Sequence, residues 1–173
     1  MFQAYGKLSA VTWNIVKTLI FMTVVGGAVV VYIPYVVRGP GAHAISALGL
    51  LGVVPAAIGV AVVLWCEWDF ATFGRGTPFP LDAPKQLVAR GLYRFVRNPM
   101  YVGVLLAILG QALWFESAAT LWYAMAAALC FHLFVVFYEE PTLRHKFGEP
   151  YKQYAKAVPR WMPKPAARLA PAK

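Results

Sequence analysis

The chain has 173 residues, of which 60% are hydrophobic and 13% charged, with 16 Lys and Arg against 7 Asp and Glu. Soluble domains carry about 25% charged residues, so an ordinary water-soluble core is excluded, and the length fits a single domain over 1–173. The net charge of +9 lies outside the apolar runs, which points to membrane topology and anionic-lipid contact and away from nucleic acid.

Residues 1–17 place Phe2, Tyr5, Leu8, Trp13 and Val16 at roughly helical spacing beside Lys7 and Lys17. This predicts a short interfacial helix leading into the membrane. No small-residue cleavage site follows a basic segment, so no leader is expected. Leu19 to Val37, at about 19 residues, is long enough to span once, with Pro34 near its end and Arg38-Gly39-Pro40-Gly41 as a turn. Ala44 to Cys66 is the second span, kinked at Pro55. In it Gly52, Ala56 and Val60 recur every four residues and predict one close-packed face. Glu67 to Arg97 is a polar connection of about thirty residues, too long for a turn. It divides residues 1–66, an N-terminal helix and two spans, from a catalytic core at 67–163.

Pro99 to Phe115 is a short third span, with Asn98 as its expected cap and Pro99 at the first helical position. Gly103, Ala107 and Gly110 share one face. Glu116-Ser117 is a tight turn with Ser117 as a cap, and Ala118 to Tyr138 is the fourth span. Short helices near 142–147 and 151–157 follow in a basic tail. The expected class is all-α integral membrane, with about four transmembrane helices, the interfacial helix and short cytosolic helices. Lys and Arg number two before the first span, one in the first loop, five in the second, none in the third and eight in the tail. That alternation puts both termini and the long loop in the cytosol.

An antiparallel hairpin turning near residue 116 pairs residues whose numbers sum to roughly 233, at about 1.5 Å of rise per residue. Tyr101 then lies level with His132 and Asn98 with Val135. Glu139 and Glu140 project about a turn further, beside Arg94 and Arg97. The hairpin therefore gathers opposite charges, an Asn-Pro and tyrosines at one membrane face.

These residues suggest a family. The segment Arg97-Asn98-Pro99-Met100-Tyr101-Val102-Gly103 resembles the R-[HN]-P-x-Y-x-G signature of the isoprenylcysteine carboxyl methyltransferase and phospholipid methyltransferase superfamily. The similarity continues through Glu139-Glu140, Leu143, Phe147-Gly148, Tyr151, Tyr154 and Val158-Pro159-Arg160, in the family's order and spacing. Upstream, the GRGTPFP stretch resembles the family's prokaryotic branch. In all, the likeness covers roughly 65–163.

The resemblance implies methyl transfer from S-adenosylmethionine to a lipidic or membrane-partitioned acceptor at the cytosolic face of a prokaryotic inner membrane. Candidate acceptors are a prenylcysteine-like carboxylate, an amino-phospholipid or a thiol. Glu140, Arg160 and Arg97 are the expected catalytic residues. Asn98, Pro99, Tyr101, Gly103, Glu139, Glu140, Tyr154 and His132 are the expected cofactor-binding set. Carboxylates suit the cofactor's ammonium and guanidiniums its carboxylate, while helix amides near Pro99 suit an anionic group. Aromatic faces suit the sulfonium or adenine, and Gly103 admits a close approach. His132 enters as an ionisable group inside a span. Asn98 stands where many relatives carry His, and it cannot titrate near neutral pH.

Plainer roles exist for each. Asn98-Pro99 reads equally as a helix start, Tyr101 as an interfacial anchor, Gly103 as a packing glycine and the arginines as topology determinants. Glu139 and Glu140 resist this, because two anions at a helix C-terminus face an unfavourable dipole unless Pro141 opens a new helix. Cys66, Cys130 and three scattered histidines make no metal-binding pattern. The rival readings are a small transporter, which the scarcity of polar residues in the spans disfavours, and a non-catalytic accessory protein on the same fold.

Overall fold

The computed structural model describes residues 16, 20, 22–39, 46–70, 72 and 87–165. The expected N-terminal helix over 1–17 (apart from Val16), the GRGTPFP stretch and the end of the tail lie outside those residues. Among the described residues every regular element is helical. We label the helices α1 (Thr23–Val37), α2 (Ala47–Asp69), α3 (Pro99–Trp114), α4 (Ala118–Phe147) and α5 (Glu149–Ala157).

Two of these are long and apolar enough to cross a membrane, α2 with 23 residues and α4 with 30. α1 and α3 are apolar but shorter. Large apolar side chains such as Leu64, Trp122, Leu129 and Phe137 are exposed along α2 and α4. A soluble protein hides such surface; a lipid-facing one has no reason to.

Small residues set the packing. α3 lies mainly against α2 and less extensively against α4. A Cβ on Gly110 would lie 2.5 Å from the backbone nitrogen of Ala56, and one on Gly103 2.9 Å from the carbonyl of Gly59. The two backbones therefore touch, as small-residue faces allow in lipid. The α2 face is Gly52, Ala56, Gly59 and Val63, whereas Val60 is exposed. A strict four-residue repeat advances about 40° per step on a 3.6-residue helix, so the contact must shift to three-residue spacing after Ala56.

α1 is wound widely, with π-helical turns over Met22–Gly26 and Ala28–Tyr32. Side chains from neighbouring helices bond its carbonyls: Gln111 Nε2 donates to Val30 O at 2.6 Å and Tyr123 Oη to Val29 O at 2.9 Å. On the side of the molecule away from the glutamates, Ser46 Oγ accepts from Gly49 N at 3.0 Å and caps α2. Its hydroxyl also donates to Glu116 in the α3–α4 turn. Ser117 caps α4 by accepting from Thr120 N at 3.3 Å.

α4 runs unbroken past Pro141, where a new helix is expected from sequence. A proline cannot donate to the carbonyl four residues back and collides with it. The chain widens instead into a π turn over Val135–Glu139, ending two residues before the proline, where Glu140 N bonds Val135 O. Such turns occur often at functional sites, and this one carries Glu139 at its end with Glu140 directly after it.

Candidate active site

The α3–α4 hairpin closes near the register expected from sequence. The Tyr101 and Phe131 rings lie 4.9 Å apart, and Arg97 Nη1 reaches Glu140 Oε1 at 3.0 Å. Arg94 is exposed and takes no part in the ion pairs of Glu140.

Glu140 is buried and carries the densest charge network of the site. Arg160 grips it with two nitrogens, Nε at 2.6 Å and Nη2 at 3.0 Å. Arg144, one helical turn on, adds a contact at 3.5 Å. Three guanidiniums thus face one carboxylate, and forked Arg–carboxylate bonds are the strong kind. The Glu140 bond holds the Arg160 guanidinium even more firmly protonated than usual.

Glu139, its neighbour, has a different setting. Its Oε2 accepts from Tyr101 Oη at 3.0 Å, and no cation is paired with it among the described residues. One carboxylate of the pair is neutralised several times over. The other meets a neutral phenol.

Both glutamates line a partly open hollow, with Arg97, Asn98, Tyr101 and Tyr154. Apart from Thr142 the rest of the wall is apolar or aromatic, including Phe134, Val135, Leu143 and Phe147. Arg97 Nε is buried in this wall without a hydrogen-bond partner. Tyr154 Oη donates to Tyr93 O at 2.8 Å, tying α5 to the short 3₁₀ turn over Gly91–Arg94. Burial, followed by the neighbouring Tyr151, raises the Tyr154 phenol above its ordinary range. Burial and then the Glu140 charge do the same to Tyr151.

Four residues singled out from sequence lie elsewhere. Pro99 is buried at the start of α3 and outside the cavity lining. Gly103 faces Gly59, Val62 and Val63 of α2. His132 is exposed, and its Nδ1 accepts from Trp161 Nε1 at 3.1 Å. Arg160 reaches the cavity only through Glu140. Asn98 lines the hollow, but its side chain does not cap α3; its amide donates to Arg160 O at 3.1 Å. Arg144, Tyr93 and Trp161 escaped the sequence reading. Only Arg144 had a signal, its i,i+4 spacing from Glu140.

No group of three or more His, Cys, Asp or Glu among the described residues could hold a metal ion. The donor set does suit a zwitterionic organic cation: an unneutralised carboxylate, a guanidinium N–H without a partner and aromatic rings lining the same hollow.

Comparison with known proteins agrees with this chemistry. Curated proteins and solved structures give no match. The family model for phospholipid methyltransferase matches residues 48–150, more than half of the chain, from α2 through both glutamates to the first turn of α5. With its lipid-facing helices, the chain is a membrane protein of the phospholipid methyltransferase family.

Proposed function

We propose that the protein is an S-adenosylmethionine-dependent methyltransferase acting on a lipidic acceptor at the cytosolic face of a prokaryotic inner membrane. Glu139 carries the reading: a cavity-lining carboxylate whose one hydrogen-bond partner among the described residues is a neutral phenol is suited to a cationic ligand. Bound there, the cofactor supplies an electrophilic methyl on a sulfonium.

The chain's own residues divide the remaining work. Glu139, oriented by Tyr101, offers the counter-charge. The Nε–H of Arg97, buried without a hydrogen-bond partner, is assigned in this reading to the cofactor's carboxylate. Aromatic and aliphatic walls exclude water and hold an apolar acceptor, and alignment of this kind is what an in-line displacement needs most. Glu140 is occupied by its three arginines and holds the site together. In this reading α1 and α3 also span, giving four crossings with both termini in the cytosol.

The test is incubation of the detergent-solubilised protein with methyl-labelled S-adenosylmethionine and total membrane lipids. Label in an organic-phase product, absent with Glu139→Gln, is expected. Label found in no lipid, prenyl-carboxylate or thiol acceptor would reject it.

A further inference from the structure

The tail after α5 does not leave the molecule. It runs back along the segment that precedes α3 and is bonded there at three places. Arg97 N donates to Pro159 O at 2.8 Å, Asn98 Nδ2 to Arg160 O at 3.1 Å, and Lys164 N to Phe95 O at 3.1 Å. Two of these bonds are backbone to backbone and available to almost any sequence. The third depends on one side chain, and its acceptor belongs to the residue that grips Glu140.

We infer that Asn98 is a positioning residue: by holding the Arg160 carbonyl it sets the Arg160–Glu140 fork, and so keeps Glu139 as the one unneutralised carboxylate among the described residues of the cavity. The placement supports this. Asn98 is buried, with 7% of its surface exposed. Its amide points along the strap instead of back onto the first turn of α3, where a capping side chain would lie. A buried amide donor that lost its acceptor would cost free energy, so the bond constrains both partners. With the strap free, Arg160 would be released from a geometry that needs two simultaneous contacts. Glu140 would then keep only Arg97 and the exposed Arg144. The cavity would gain negative charge and lose its single preferred pole.

The role needs an N–H donor at the δ position and no titration. Imidazole Nδ1 stands the same number of bonds from Cα as the Asn amide nitrogen, so Asn98→His can replace it, whereas Asn98→Asp and Asn98→Ala cannot. The inference rests on the methyltransferase reading only for its effect on the cofactor.

The test therefore has two arms on the full-length protein in detergent. In the first, without any ligand, hydrogen exchange is followed at the Arg97 and Lys164 amides. Asn98→Ala and Asn98→Asp should speed exchange there by roughly tenfold, the weight of one net hydrogen bond, with Asn98→His restoring protection. In the second, S-adenosylhomocysteine affinity is measured for Asn98→Ala, Arg160→Ala and the double variant. The double should bind no more weakly than the weaker single, since coupled residues do not add. Unchanged exchange at both amides, or additive losses in affinity, would overturn the inference. If no form binds S-adenosylhomocysteine, the exchange arm still decides the positioning role, and only the methyltransferase reading fails.

Discussion

Tyr101 in the first turn of α3 and Glu139 at the end of the α4 π turn meet at 3.0 Å, across 38 residues of sequence. That bond orients the cavity's uncompensated carboxylate. Tyr101→Phe keeps the ring contact with Phe131 and removes the donor. A hydrogen bond to a charged group is worth about 1.5–3 kcal/mol, so the variant should lose stability of that order by melting and, with Glu139 no longer oriented, bind S-adenosylhomocysteine more weakly by calorimetric titration.

Glu140 answers differently. Glu140→Gln leaves Arg97, Arg144 and Arg160 without their shared counter-charge; breaking a buried pair costs about 3–5 kcal/mol, and partial exposure of the arginines places this one near the lower end. Arg144→Gln removes a contact from a side chain that is 57% exposed and should cost under about 1 kcal/mol. Thermal unfolding of the two variants in one detergent checks the contrast; equal losses would contradict it.

The face between α2 and α3 is intolerant of bulk. Gly110→Val drives a Cβ toward Ala56 N and should destabilise by about 3 kcal/mol or more. Gly27→Ala in α1 meets nothing within 4 Å and should be close to neutral. Yield of folded protein and melting temperature separate the two.

Much of this was legible in the sequence because it follows from length and period. Antiparallel rise alone put Tyr101 level with His132, one residue from the Phe131 ring it meets, and Glu140 beside Arg97, and Ser117 announced the start of α4. The rest depends on events with no periodic trace. The π turn before Pro141 carries α4 through a residue that reads as a break. Asn98 looks like a cap because Asn-Pro usually starts helices, yet a strap sixty-odd residues away takes its amide. His132 and Trp161 find each other only because Arg160 draws the tail across α4. Val60 fell off the packed face because a four-residue repeat outruns the helix.

Alkali should loosen the tail first. Burial raises the phenols of Tyr151 and Tyr154, so their contribution to stability is fully present below the ordinary tyrosine range of about 10 and is lost as pH rises through their folded values. Hydrogen exchange in α5 should accelerate above about pH 10 before exchange in α2 does. In Tyr151→Phe/Tyr154→Phe that pH dependence should flatten.

Gln111 is a lone amide within an apolar helix, donating to Val30 O. Gln111→Leu removes that bond and should cost about 0.6–1.7 kcal/mol, as interhelical bonds do in membranes, without changing cofactor affinity. Parallel melting and titration would reveal any loss of binding.

The central claim is that Glu139 offers the cavity's receptive negative charge. Calorimetric titration of S-adenosylhomocysteine into wild type and Glu139→Gln, in the same detergent, tests it most directly. Micromolar-range binding by wild type is expected, with a loss of at least about tenfold, the weight of one charge-assisted hydrogen bond, in a variant that melts as wild type does. Equal binding by the two proteins, or none by wild type at millimolar ligand, would contradict it.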